Sequence, residues 1–206
     1  MLVPGVMLIF AMYPVAQLVD PTLEWRQLLQ TDLASGIYLF IAMALGLTYN
    51  YTPLRTISNK TYHEKVNVNL RTQALRVLPD NERDLDSYRW KDVRSIFYHF
   101  VDKDPSLKNQ VSRAYCNGLA WTTFADLRAI AFIFTMIYAS CYFLLDSIAF
   151  LWYALVAFAL FVVSFAFSNI STKRHMQIGD EQIEYILVHY RQELADKLKQ
   201  VAGRSA

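Results

Sequence analysis

Four long stretches of the chain carry no charged side chain. They cover residues 1–19, 34–54, 129–145 and 147–172. Each stretch reaches or approaches the roughly 17 to 25 residues that an α-helix needs to cross a hydrocarbon core of about 30 Å. The pattern therefore predicts an all-α integral membrane protein with about four transmembrane helices, the first two at about 1–19 and 34–52. Pro4, Pro14 and the absence of a basic n-region favour a retained first span over a secretion signal.

The last two stretches are separated only by Asp146. A single helix over both would rise about 65 Å at about 1.5 Å per residue, twice the thickness of the hydrocarbon core. A carboxylate inside the bilayer would also cost at least about 2.5 kcal/mol, whereas at a turn it stays in water. We therefore expect a transmembrane hairpin over 125–170 that turns near residue 146.

The distribution of charges predicts the orientation. Residues 20–33 carry Arg26 against Asp20, Glu24 and Asp32, whereas residues 51–128 carry thirteen basic against nine acidic side chains, and six more basic residues follow Thr172. Basic residues near the ends of membrane helices stay cytoplasmic. We expect a transmembrane hairpin at 1–54 with the outer loop 20–33, a cytoplasmic helical domain at 55–124, and a cytoplasmic tail helix at 171–206. Both termini are then cytoplasmic, and a bacterial inner membrane is the expected location.

The polar segments show helical periodicity. In the outer loop, Asp20-Pro21 is typical of a helix start and predicts a short interfacial helix. In the central segment, one amphipathic helix is expected to begin near Asp86 or Ser87, with an apolar face of Trp90, Val93, Phe97, Phe100 and Val101. Residues 64–78 fit both strand alternation and helical spacing, and we favour a helix.

Asp104-Pro105 predicts the start of a second helix in the central segment. Its predicted face comprises Leu107, Val111, Ala114 and Tyr115, and Gly118 is expected near its end.

The tail from Asp180 to Val201 carries a near-heptad apolar stripe. Its members are Ile183, Leu187, Tyr190, Leu194 and Val201. The stripe predicts a helix that either packs on the cytoplasmic domain or binds a neighbouring subunit or partner.

Small residues recur at four-residue spacing inside three predicted spans. The pairs are Ala42 and Gly46, Thr135 and Ala139, and Ser164 and Ser168. Small side chains let membrane helices approach closely. These residues are predicted to pack helices together, within one protomer or between protomers.

One pair of residues suggests catalysis. Arg94 and His99 match the arginine-to-histidine spacing of HEPN-type ribonucleases, in which such a pair would supply charge stabilisation and acid-base function. In a chain with four histidines and 20 basic residues, such a match arises readily by chance. The alternative is an amphipathic helix that carries both side chains on its polar flanks.

The sequence lacks paired cysteine or histidine motifs at metal spacing and a glycine-rich phosphate loop, so we expect neither a metal nor a cofactor. Expected partners are the lipid bilayer, further copies of the chain and a cytosolic protein. The basic central segment makes a nucleic acid or nucleotide a further candidate ligand.

The function that these features favour is a non-catalytic, oligomeric membrane component. It would sense a signal or recruit a cytosolic partner through its inner domain and transmit this to the membrane, as in small membrane effectors of bacterial antiviral defence. The alternatives are a membrane-tethered nuclease that uses Arg94 and His99, and a small channel or carrier.

Overall fold

The computed structural model describes residues 2–22 and 32–205, and in the second range the side chains of 38–202. All regular structure in these ranges is helical. The α-helices are α1 (Leu2–Val19), α2 (Asp32–Tyr51), α3 (Leu54–Leu75), α4 (Trp90–Lys103), α5 (Pro105–Leu145), α6 (Ile148–His189) and α7 (Arg191–Ser205). The interfacial helix predicted for the loop after Asp20 falls largely on residues 23–31, outside the described ranges.

Three helices in the described part of the chain are long and apolar enough to cross a membrane, namely α1, α5 and α6. In the most apolar 18-residue segment of each helix, only 17%, 28% and 22% of the residues, respectively, are buried within the protein. Helices that leave so much apolar surface uncovered need apolar surroundings. The fold is therefore compatible with a membrane protein. The predicted span at 34–52 lies on α2, which is helical over this range except at Thr52.

The chain divides into two compact units. Unit 1 comprises residues 1–60 and 121–168, and unit 2 comprises residues 61–120 and 169–206. Helices α5 and α6 contribute residues to both units.

In unit 1, aromatic residues of α5 and α6 form the core. Phe134, Tyr138 and Phe150 are buried together with Tyr49, and side chains of α1 such as Met7 and Val15 pack against them. Helix α5 ends at Leu145 and α6 begins at Ile148, so the chain reverses at the position that the charge pattern indicates. Asp146 takes a positive φ of 48° in this turn and is exposed. Aspartate accepts this conformation more readily than most residues.

In unit 2, α4 contributes Val93, Ile96 and Phe100 to a core that also holds Leu107 and Leu198. Helix α4 begins at Trp90 rather than near Asp86, which corrects the predicted start. The acidic stretch instead caps a 3-10 turn at Leu85–Ser87, where the Asp84 carboxylate accepts hydrogen bonds from the Asp86 amide at 3.1 Å and the Ser87 hydroxyl at 2.6 Å.

Helix α5 begins at Pro105 as predicted, and the Asp104 carboxylate caps it by accepting from the Ser106 amide at 2.7 Å. The predicted end near Gly118 is wrong. Gly118 does not adopt a positive φ, and the helix continues to Leu145. Tyr115, placed on the apolar face by the sequence pattern, is 72% exposed. Residues 64–75 are helical, as favoured.

The tail is not one separate helix, which corrects a further prediction. Helix α6 continues without interruption to His189, and α7 follows after a bend at Tyr190. The bend has a packing reason, because Ile186 before it and Leu198 after it both reach the core of unit 2.

Candidate functional site

The two candidate catalytic residues lie on the surface of α4, where both are exposed. A spacing of five residues turns them about 140° apart around a helix with 3.6 residues per turn. His99 Nε2 lies 3.3 Å from Glu193 Oε1, and Lys103 Nζ donates to Glu193 Oε2 at 2.7 Å. The Lys103 hydrogen bond, with a further contribution from His99, holds the pKa of the Glu193 carboxyl below its usual range. His99 thus takes part in a surface charge cluster between α4 and α7.

The small residues of α2 face α1. Ala42 is 2% exposed and Gly46 is buried. A Cβ atom on Gly5 would overlap the Ala42 carbonyl oxygen and come within 3.0 Å of the Gly46 amide nitrogen. The two helix backbones therefore approach as closely as a glycine permits.

The other small residues have separate environments. Ser164 and Ser168 are fully buried on α6, where the Ser164 hydroxyl donates to the Phe161 carbonyl at 2.6 Å. The Thr135 hydroxyl donates to the Ala131 carbonyl at 2.7 Å, one turn earlier in α5. Ala139 packs against the aromatic core of unit 1.

The tail stripe lies against the core of unit 2. Ile183 and Leu194 are buried, and Leu187, Tyr190 and Val201 are partly buried against the same cluster. The Tyr190 hydroxyl donates to Asp104 Oδ2 at 2.9 Å. Burial acts to raise the pKa of the Asp104 carboxyl, but the hydrogen bonds from Tyr190 and the Ser106 amide outweigh it and lower the pKa overall.

Part of the stripe still borders an open groove in unit 2, which we call the tail groove. It lies between the end of α3 and the end of α6, with a volume of about 490 Å³. Val77, Ile183, Leu187 and Val188 supply its apolar surface, and Arg76, Asp180, Glu184 and Arg191 supply its charges. Val188 is 72% exposed. A surface that combines apolar side chains with charged ones is typical of protein-binding sites, so this groove is the candidate functional site.

The structure also reveals an ion pair in unit 1, with a buried carboxylate, that the sequence patterns did not indicate. Arg55 Nε donates to Asp126 Oδ1 at 2.7 Å and Arg55 Nη2 donates to Asp126 Oδ2 at 2.6 Å, a bidentate pair. The Ser58 hydroxyl donates to the Ala125 carbonyl at 2.8 Å beside it. Together these contacts hold the start of α3 against α5. The available signal was charge complementarity between residues at the ends of two uncharged stretches, where Arg55 and Asp126 entered only the charge count of residues 51–128.

A buried cation, Arg128, lies two residues after Asp126 on α5 and is 5% exposed. Arg128 Nη2 donates to the Ser168 hydroxyl at 2.7 Å, and its guanidinium lies 4.7 Å from the centroid of the Phe165 ring. Ser168, predicted as a small packing residue, is thus also a hydrogen-bond acceptor. Asn59, 1% exposed, has no hydrogen-bond partner for either amide atom among the described residues.

Within the described ranges, no group of three or more histidine, cysteine or acidic side chains is placed to hold a metal ion. No family model, no curated protein and no solved structure matches this chain. Over the described residues, the fold and the sites therefore define a class only: a helical protein in which three helices are long and apolar enough to cross a membrane, with a second helical unit that carries a groove.

Proposed function

We propose that the chain is a non-catalytic, oligomeric component of a bacterial inner membrane that recruits a cytosolic protein through unit 2. Binding would change the arrangement of the membrane helices and so open a pore or perturb the bilayer, as an effector of an antiviral defence system would. The proposal includes α2 as a fourth span and places both termini in the cytoplasm.

The observation that carries the proposal is the continuity of α5 and α6. Residues 105–120 of α5 and 169–189 of α6 belong to unit 2, whereas residues 121–145 and 148–168 belong to unit 1. Neither helix is interrupted where it passes from one unit to the other. Small shifts and rotations of packed helices are an established way to carry a binding event between sites.

The tail groove is the surface through which the partner would bind. Its apolar side chains, such as Leu187 and Val188, offer contact area, and the charges of Arg76, Glu184 and Arg191 can discriminate between partners. An amphipathic helix that places one apolar face on the groove is the partner element that this surface fits.

A matched pair of substitutions tests the groove. Val188→Glu places a charge in the groove at a residue that is 72% exposed, and Tyr115→Glu does the same at an equally exposed residue of α5 outside it. With the full chain captured from membranes of its native host, we expect Val188→Glu to lose a cytosolic partner that the native chain and Tyr115→Glu both retain. Equal capture by all three chains would contradict the assignment of the groove.

The orientation can be tested with the two cysteines. Cys116 is exposed in unit 2, and replacing Cys141 with serine leaves it as the only thiol. A membrane-impermeant maleimide should label Cys116 in inverted vesicles and not in intact spheroplasts. A chain with Asp146→Cys as its only thiol should show the reverse. Labelling of both from one side would overturn the proposed topology.

Two measurements separate this proposal from its alternatives. In proteoliposomes the isolated chain should conduct only in the presence of its partner, whereas constitutive ion flux would favour a simple channel. Purified protein should not cleave RNA. Cleavage that is lost on both Arg94→Ala and His99→Ala would establish the nuclease instead.

A further inference from the structure

A cleft in unit 1 is separate from the surfaces that the proposed function uses. Its walls are residues 6–14 of α1, 127–138 of α5 and 153–160 of α6, and its volume is about 400 Å³. These helices are, among the described residues, the ones long and apolar enough to cross a membrane. We propose that this cleft holds one acyl chain of a bilayer phospholipid.

The chemistry of the walls favours a hydrocarbon ligand. Except for three tyrosines, all the side chains that line the cleft are apolar. The Tyr138 hydroxyl donates to the Ala11 carbonyl, and the Tyr13 hydroxyl accepts from Gln17 Nε2 at 2.8 Å. Two of the three hydroxyls are therefore engaged within the protein, and a ligand is recognised by shape and apolar contact rather than by hydrogen bonds.

A proline in α1 helps to shape this surface. Pro14 is buried, lines the cleft, and cannot donate the backbone hydrogen bond that a helix interior normally contains. In membrane helices, neighbouring side chains commonly compensate for this defect. The carbonyl that lacks its helical donor because of Pro14 is that of Phe10, and the Tyr138 hydroxyl contacts the carbonyl of the next residue, Ala11.

The length of the cleft fits one lipid tail. Residues 127–138 rise about 16 Å at about 1.5 Å per residue. This length is about half of the ~30 Å hydrocarbon core, which is the depth of one leaflet and thus of one lipid tail. Lipid is the molecule that surrounds these helices in a membrane.

The cleft opens laterally along exposed side chains. Phe10 of α1 and Val156 and Leu160 of α6 border it and remain exposed, so a lipid tail could enter from the bilayer without unfolding the unit. Ala131 and Ala157 line it and are buried, so a larger side chain at either position would occupy the space of the chain.

The test uses the full chain in proteoliposomes that contain a phosphatidylcholine with a photoreactive diazirine in the middle of one acyl chain. After illumination, mass spectrometry locates the lipid adducts. We expect adducts several-fold enriched at the cleft residues over exposed residues of α6 outside it, such as Val162 and Val163. An even spread over all exposed apolar residues would overturn the proposal.

Three variants make the result specific. Ala157→Phe fills the cleft and Val156→Phe blocks its border at an already exposed residue, so folding is retained in at least the second variant. Ala159→Phe makes the same chemical change at an exposed residue of α6 outside the cleft. The first two should lose the cleft adducts and the third should keep them. Equal labelling of all three, or protein-to-protein adducts at Phe10, would refute a lipid occupant, whether or not the partner proposal holds.

Discussion

Arg55 and Asp126 form a bidentate ion pair in which the two partners are unequally buried. The Asp126 side chain is 2% exposed and the Arg55 side chain 33%. The two residues are 71 positions apart, so the pair joins the first part of the chain to α5. The inequality decides which partner is more costly to remove.

Removal of Arg55 should cost more than removal of Asp126. Arg55→Met would leave a fully buried carboxylate without its cation, at a cost of about 3 kcal/mol or more, because breaking a buried pair strands a charge. Asp126→Leu would leave the Arg55 guanidinium unpaired, but the long apolar stem of arginine lets this charged end remain in contact with water. The double variant should be more stable than Arg55→Met alone. Thermal denaturation in detergent, followed by helical circular dichroism, gives the order, and a reversed order of the two single variants would contradict the assignment.

Asn59 is expected to lower the stability of the protein. Neither of its amide atoms has a hydrogen-bond partner among the described residues, and leaving a polar group unsatisfied costs about 1–3 kcal/mol. Asn59→Leu should therefore raise the melting temperature in detergent. Asn117→Leu is the matched control. The buried Asn117 amide donates to the Ser171 carbonyl at 2.9 Å, so its loss should lower the melting temperature. If Asn59→Leu destabilises as much as the control does, the Asn59 amide binds a group outside the described residues.

Much of the helical architecture followed from local patterns. Uncharged stretches and three- to four-residue periodicity predicted helices in α1 to α6, because both signals depend on neighbours in sequence. The bend at Tyr190 and the continuation of α5 past Gly118 depend on which core each residue reaches, and periodicity alone does not specify this. The stripe residue Leu187 illustrates the limit, since it borders both the core and the tail groove.

The candidate sites likewise divide into residues that a local sequence pattern marks and residues that no local pattern marks. Ala42 and Gly46 were found by their spacing, whereas their partner Gly5 has no second small residue four positions away to mark it. The contact of Arg128 with Ser168 joins residues 40 positions apart and carries no local signal. Contacts of this kind become visible only when the fold brings the helices together.

Acidification should destabilise unit 2 through His175. Burial lowers the pKa of its imidazole, and nearby His63 lowers it further. Asn117 Nδ2 lies 3.3 Å from His175 Nδ1 while donating to Ser171, so a proton on Nδ1 would face a donor. The unfolded chain then binds the proton more readily, and stability falls as the pH drops below about 6.5 and levels off below the pKa of the folded state.

Melting temperatures between pH 8 and pH 5 test this, with His175→Gln expected to flatten the profile and His189→Gln, at an exposed position, expected to leave it unchanged. Asp104 and Glu193, whose pKa values are lowered, lose their contribution only at more acidic pH, below their unfolded values near 4. An unchanged slope in His175→Gln would assign the pH dependence to another group.

The same substitution at two glycines should have opposite effects. Gly5→Ala would drive a Cβ atom into the backbone carbonyl of Ala42, and backbone cannot move aside as a flexible side chain can, so α1 and α2 must separate. Gly118→Ala meets nothing nearer than His175 Cε1 at 4.0 Å, and an alanine within a helix is favoured over glycine by up to about 1 kcal/mol. We expect Gly5→Ala to lower the melting temperature in detergent and Gly118→Ala to raise it slightly. A cysteine pair introduced across α1 and α2 should form a disulfide when residue 5 is glycine and should fail to do so with Gly5→Ala. Unchanged crosslinking would show that the packing of the two helices does not depend on this close approach.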